Sequence, residues 1–172
     1  MCGGKWRIVV DFPISLSLFK TSFGKEDKLL FTGQYVHSID EKGRLIVPAK
    51  LRSELGESFY VTRGLDNCIF CYSRSEWESI VEKFKEANLT SESGRRFSRF
   101  FFGSASLTES DKQGRILIPQ PLKEWAGLKK DVVSAGILNR VEIWDKDSWD
   151  KNNDFGDMNG IAEQMASLGV AI

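Results

Sequence analysis

The chain has 172 residues, with 24 Lys+Arg against 24 Asp+Glu, 41% hydrophobic residues and cysteines at 2, 68 and 71. That apolar fraction supports a folded core and excludes global disorder. No 18-residue apolar run offers a membrane-spanning helix, and three cysteines are too few for a disulfide framework and suit a reducing cytoplasm. The zero net charge hides an asymmetry: residues 142–172 hold seven acids and two bases, so a mildly basic body carries an acidic tail, which permits nucleic-acid binding without demanding it.

In residues 1–29, Lys5 and Arg7 precede a partly apolar run from Ile8 to Phe19. Asp11 and Pro13 break the run and no small-x-small cleavage site follows, so it reads poorly as a secretion signal. The segment matches nothing later in the chain. It is expected to be dispensable, either as a disordered extension or as the product of a start codon placed too far upstream. Phe31 to Ile39 reads as a strand. Its His37 has the character of a structural imidazole, because no Ser or Cys nucleophile adjoins it.

Asp40-Glu41-Lys42-Gly43-Arg44-Leu45-Ile46-Val47-Pro48 then introduces the organising feature, because it recurs 71 residues later as Asp111-Lys112-Gln113-Gly114-Arg115-Ile116-Leu117-Ile118-Pro119. Leu51, Arg52 and Gly56 are answered by Leu122, Lys123 and Gly127 at the same spacing; Ile69, Cys71, Tyr72, Arg74 and Trp77 are answered at a spacing of 72. Each copy is one structural unit. Asp40 and Asp111 are expected to open a turn by accepting backbone N–H groups, with Gly43 and Gly114 at the φ > 0 position. The aliphatic triplet resembles a short strand buried on both faces. The proline ends that strand and begins a short helix, capped by Gly56 in the first copy.

Phe59 to Thr62 and Cys68 to Tyr72 read as strands. Cys68 and Cys71 form a C-x-x-C, but residues three apart on a strand face opposite sides, so the sulfurs diverge. Ser75-Glu76-Trp77-Glu78 has the form of a capping box. Trp77, Ile80, Val81, Phe84 and Ala87 give the helix beyond it one apolar face. Thr90-Ser91-Glu92 offers a second helix start. There Arg95, Arg96 and Arg99 alternate with Phe97, Phe100 and Phe101, in a helix that either contacts phosphates or buries its phenylalanines between the halves; the second reading is preferred. Ala105 to Glu109, Asp131 to Ile137 and Val141 to Trp144 repeat the strands. Asp145 starts a helix that should fray, Asn152 to Asp157 has turn composition, and Ile161 to Leu168 looks helical.

The D-x-K-G-R-(aliphatic)₃-P-A-x-x-R unit, its degenerate second copy and the segment Gly94-Arg95-Arg96-Phe97-Ser98-Arg99-Phe100-Phe101-Phe102-Gly103 resemble the MraZ family of bacterial transcription regulators, which carry two SpoVT/AbrB-type DNA-binding domains. The likeness runs from about Phe31 to Trp149. It implies a β-rich α+β fold of two tandem AbrB-like swapped-hairpin or barrel-type units with pseudo-two-fold symmetry. The divisions expected are 34–80 and 105–149 for the two units, 81–104 for a helical connector and 150–172 for an acidic tail. It further implies a cytoplasmic, nucleoid-associated regulator, a repressor of its own cell-division and cell-wall gene cluster. Its partners would be short direct repeats in double-stranded promoter DNA and further copies of itself in a ring, with no membrane, small-molecule substrate or cofactor.

No paired-carboxylate, P-loop, dinucleotide or metalloprotease signature appears, so the duplicated turn is the candidate site and no enzymatic activity is expected. Lys42 with Arg44, and Lys112 with Arg115, are basic pairs able to take phosphates or the O6/N7 edge of guanine. From spacing alone an alternative stands beside this: a buried Asp40–Arg44 pair that only shapes the turn. Gln113 in place of Lys42, and the extra Pro121, set the second tip apart from the first. Two competing functions are a protein-interaction scaffold without DNA binding and a thiol or metal enzyme on Cys68 and Cys71.

Overall fold

The computed structural model describes residues 30–86, 91–154, 156 and 158–170, so the expectation for residues 1–29 lies outside the described residues. The first repeat supplies β1 (Gln34–Ser38), β2 (Arg44–Ile46), α1 (Ala49–Leu55), β3 (Ser58–Arg63), a 3-10 turn (Leu65–Asn67) and β4 (Ile69–Ser73). Helices α2 (Arg74–Glu86) and α3 (Glu92–Phe101) lead into the second, which supplies β5 (Ser106–Glu109), β6 (Arg115–Leu117), α4 (Gln120–Trp125), β7 (Asp131–Ile137) and β8 (Arg140–Asp145). Helices α5 (Lys146–Asn152) and α6 (Met158–Ser167) complete a β-rich α+β fold.

Six strands form one antiparallel sheet in the order β1-β7-β8-β4-β3-β5, and β2 pairs with β6 in a separate ribbon. Exchanging the two repeats leaves this order unchanged. Each repeat places its first strand against the third strand of the other: β1 on β7 and β5 on β3. At the centre of the sheet Phe70 faces Glu142, and at the centre of the ribbon Leu45 faces Ile116. Each is opposite its own counterpart in the repeat.

The strand alternation divides the core between two faces. On one, Val61, Ile69, Cys71, Val132, Val141 and Ile143 meet Leu45, Val47, Ile116 and Ile118 of the ribbon and Leu51, Leu55 and Leu122 of α1 and α4. On the other, Phe70, Tyr72, Val133, Ala135 and Trp144 meet Trp77 of α2, Phe101 of α3 and Trp149 of α5. The sheet is thus sandwiched between the ribbon layer and a helical layer. Cys68 and Cys71 are both buried, one in each cluster. The Cys68 thiol donates to the Leu65 carbonyl oxygen at 3.0 Å, and burial pushes both thiols well above their ordinary value. Glu142, also buried, takes Arg140 Nε at 2.9 Å and Trp144 Nε1 at 3.1 Å, while the Arg140 guanidinium lies 4.5 Å from the Phe70 ring centroid. His37 meets Ser134 Oγ through Nε2 at 2.8 Å, a structural contact.

Some local expectations shift. The aliphatic triplets are not buried on both faces: Leu45 and Ile116 are almost fully buried, whereas Ile46 is 55% and Leu117 61% exposed. A two-stranded outer ribbon has only one face to give the core, so side chains alternate. The strand expected over Phe31 to Ile39 shortens to Gln34–Ser38, with Phe31 and Ile39 each held in a lone bridge, to Leu138 and Leu45. Pro48 and Pro119 stand at the cap positions, one residue before the helices. Helix α2 begins at Arg74, and Ser73 Oγ, not Ser75, accepts the Glu76 N–H at 3.3 Å. The Glu76 carboxylate takes Asn139 Nδ2 at 2.7 Å, so the box is only half formed.

The preferred packing reading of α3 holds for Phe100 and Phe101 but not for Phe97, which is 36% exposed. Phe100 meets Trp125 edge-on at 5.2 Å, and Phe101 stacks on Trp77 at 5.5 Å. Ser91 Oγ caps the helix by accepting the Gly94 N–H at 3.1 Å. Its C-terminal end is tied to β3, because the Thr62 hydroxyl donates to the Phe101 carbonyl at 2.5 Å. Ala87 and Thr90 lie outside the described residues. Asp145 caps α5 and Trp149 anchors it edge-on to Trp144 at 5.8 Å.

Candidate nucleic-acid interface

The duplicated turn is built by its aspartate. Asp40 Oδ1 accepts the N–H groups of Lys42 and Arg44, both at 2.9 Å, and Oδ2 accepts Arg44 Nε and Nη2, both at 2.7 Å. Asp111 repeats this with the N–H groups of Gln113 at 2.8 Å and Arg115 at 3.0 Å, and with Arg115 Nε at 2.8 Å. Gly43 and Gly114 both adopt φ 77, as the turn requires. Each glycine N–H returns to its aspartate's carbonyl, at 2.9 and 2.8 Å.

Electrostatics follow from this geometry. The Arg44 side chain, followed by its backbone N–H, holds the Asp40 carboxyl below the usual carboxylate range. The Arg115 N–H, followed by its side chain, brings Asp111 down to about 2. The ion pair from the turn-shaping alternative therefore exists, but it is not buried: the Arg44 and Asp40 side chains are 32% and 38% exposed. An arginine has five N–H donors. Asp40 engages two of them, leaving Arg44 others for a partner while its side chain is held in one orientation.

The ribbon brings the two turns together. Val47 N–H donates to Gly114 O at 2.9 Å and Ile118 N–H to Gly43 O at 3.2 Å, so each strand is bonded to the opposite turn. In register, Arg44 faces Leu117 and Ile46 faces Arg115. Leu45 and Ile116 point into the core, so Arg44, Ile46, Arg115 and Leu117 share the outward face. Arg44 and Arg115 are diagonal neighbours there, with Cα atoms about 7–8 Å apart by strand geometry. Lys42 and Lys112 are exposed in the turns.

Arg52 is a basic residue that sequence reasoning did not place in the site. A Cβ built on Gly114 would lie 1.4 Å from Arg52 Nη1, so the α1 guanidinium rests against the second turn. Near Gly43 the closest atom is Leu117 Cδ1 at 3.9 Å, and Lys123 makes no matching approach. The available signal was the basic Arg52/Lys123 pair in the repeat. Its contact across the two units was not visible locally.

An α+β protein that joins two copies of an Asp-x-x-Gly-Arg turn through one ribbon, with both arginines outward, belongs to a duplicated-turn class. Residues 30–100 and 101–161 match the family described as "MraZ protein, putative antitoxin-like". The chain is 51% identical over 142 residues to the transcriptional regulator MraZ of Clostridium botulinum (strain Eklund 17B / Type B), spanning 82% of this chain and 100% of the relative. Its counterpart in Acetivibrio thermocellus is 51% identical over 145 residues, with the same shares covered. That of Clostridium tetani is 48% identical over 142 residues, again covering 82% and 100%. The chain belongs to the MraZ family.

Proposed function

We propose that this protein is a transcriptional regulator, without enzymatic activity, that grips double-stranded promoter DNA through the outward face of the β2–β6 ribbon. The observation that carries the reading is the register that makes Arg44 and Arg115 diagonal neighbours on that face, each oriented by its own aspartate. A preset guanidinium loses little freedom on forking onto a phosphate or a guanine edge. Lys42 and Lys112 add charge from the turns, and Arg52 reinforces the second. Relatives named as transcriptional regulators support the same reading.

Residues 34–80 and 105–149 are read as two SpoVT/AbrB-like units with exchanged strands, a reading the β1–β7 and β3–β5 pairings support. One ribbon offers few charges, so tight binding calls for several ribbons on one assembly. A ring of identical chains supplies them. The end strands β1 and β5, with Val36 59% and Leu107 42% exposed, suit a head-to-tail contact that closes into one. In this reading the target is a set of short direct repeats upstream of the protein's own cell-division and cell-wall gene cluster, and the regulator acts as a repressor in the nucleoid-bearing cytoplasm.

Ile46 and Leu117, exposed between the arginines, favour a second reading in which the same face holds a protein and no DNA. Gel shifts of the purified protein with DNA from upstream of its own gene, repeated across salt concentrations, separate the two. Phosphate contacts make log affinity fall steeply and linearly with log salt. A protein that leaves this fragment unshifted at low salt overturns the DNA reading.

A further inference from the structure

Away from the ribbon, a recess of about 230 Å³ opens where the end of β3, the end of α3 and the start of α4 converge. Arg63 and Arg99 line it, with Ser104, Pro119 and Pro121 among the other lining residues, and no carboxylate among them. Arg63 Nε is buried and has no hydrogen-bond partner among the described residues. Buried donors of this kind are rare and call for an explanation. The guanidinium carbon lies 5.2 Å from the Trp125 ring centroid, which fixes its plane. Arg99 is exposed and enters no ion pair among the described residues. Ser104 is already committed: its hydroxyl donates to the Phe100 carbonyl at 2.5 Å, and its oxygen lies 3.4 Å from the Arg63 N–H.

We propose that this recess binds a small oxyanion, a phosphate or phosphomonoester group held between Arg63 and Arg99. Two arginines from different elements, with no carboxylate in the lining, match a dianion in charge. Their planar forks match its oxygens. A phosphate group at neutral pH carries about −1.5 to −2 charges. A volume below the roughly 300–1,000 Å³ of ordinary ligand pockets favours a group of this size over a nucleotide. Arg63, stacked and partly buried, is the preformed half of the site, and Arg99 is the half that completes it from solvent. Bound there, the anion would join β3 of the first repeat to the connector helix through Arg63 and Arg99.

The test is phosphate titration of the full-length protein without DNA, followed by its unfolding midpoint, with sodium chloride matching the ionic strength. A saturable rise is expected, of roughly 5–10 °C at a hundredfold excess over Kd. Arg99→Gln should keep the unliganded midpoint and abolish the rise. Arg63→Lys keeps the charge but loses the fork, and should shift half-saturation at least tenfold higher. Arg44→Gln, on the ribbon, should respond as wild type. Glycerol phosphate in place of inorganic phosphate distinguishes a phosphorylated metabolite from the free ion: an equal or stronger rise assigns the former, a rise with inorganic phosphate alone the latter. The proposal is overturned if matched chloride gives the same rise, if Arg99→Gln retains the full response, or if Arg44→Gln removes it. Because DNA is absent throughout, failure here is separate from failure of the DNA reading.

Discussion

Leu45 lies directly across the ribbon from Ile116, its own counterpart in the second repeat, and both are buried to within 1%. Together they seat the ribbon on the sheet, while their neighbours Ile46 and Leu117 face outward. The two sides of the ribbon should therefore respond oppositely to substitution. Leu45→Ala should cost about 2–5 kcal/mol, the range for truncating a buried leucine. Ile46→Ser should fall within about 0.5 kcal/mol of wild type. Urea denaturation monitored by tryptophan fluorescence measures both.

Arg44→Ala should leave folding and assembly intact, because the Asp40–Arg44 pair is solvent-exposed, and should weaken DNA binding. If each engaged arginine contributes about 1–3 kcal/mol, loss at every subunit of the proposed ring would bring specific binding close to background. Arg44→Lys should recover part of the phosphate attraction but not the fork geometry. Gel shifts at several salt concentrations, beside size-exclusion chromatography, give the answer. Wild-type affinity with normal oligomer size removes Arg44 from the interface. Loss of the melting transition instead makes the Asp40 pair structural.

Gly43 and Gly114 share φ 77 but not their surroundings. Alanine at either should cost about 1–2 kcal/mol for left-handed backbone. Only at Gly114 does the new methyl group meet Arg52. Gly114→Ala should therefore be the worse of the two in thermal denaturation. Adding Arg52→Ala should recover part of that difference, whereas the same second change should not help Gly43→Ala. A double-mutant cycle reads the coupling directly.

The aspartates set an acid limit on the turns. Asp111 is depressed to about 2, with Arg115 as the cause, and Asp40 moves in the same direction. A carboxyl whose folded value lies below its unfolded value of about 3.9 stabilises the fold above that value. That contribution fades as pH falls from about 4 toward 2. Asp111→Asn, whose amide oxygen can still accept the backbone N–H groups, should be less stable than wild type at pH 5. The gap should close near pH 2 in urea titrations across this range. A constant gap would show that the charge pair contributes nothing.

Cys68 and Cys71 should be inert toward a thiol reagent in the native protein and react fully once it is unfolded, because both are buried and burial raises their pKa. Chelators should leave the melting temperature unchanged. Rapid native labelling in a Cys2→Ser variant, where only Cys68 and Cys71 can report, would reopen the thiol-chemistry alternative.

The turns were readable because they are local: Asp40, Gly43 and Arg44 fix one another within five positions. The strands were readable for the same reason, through short-range alternation and proline stops. What the sequence left open depended on distant partners. Nothing near Ile46 says that its strand pairs with β6 and not with the six-stranded sheet, and that pairing alone decides which triplet residue is exposed. Capping was ambiguous in a different way. Ser73 and Ser75 each precede a glutamate by three positions, and the end of β4 selects the first. The convergence of Arg44, Arg115 and Arg52 joins elements of both repeats and has no local signature.

The facing of Phe70 and Glu142 has a consequence for how such a fold can diverge. In two separate copies of one module, related by the same exchange, the central residue of that strand would meet itself. A glutamate there would confront a second glutamate, buried, and like charges in that setting are costly. Joined in one chain, the two positions are free to differ. One has become aromatic and the other acidic, and Arg140 serves both by pairing with Glu142 while lying over Phe70. Covalent linkage has thus let the protein place a polar network where a symmetric dimer would have to repeat a single residue.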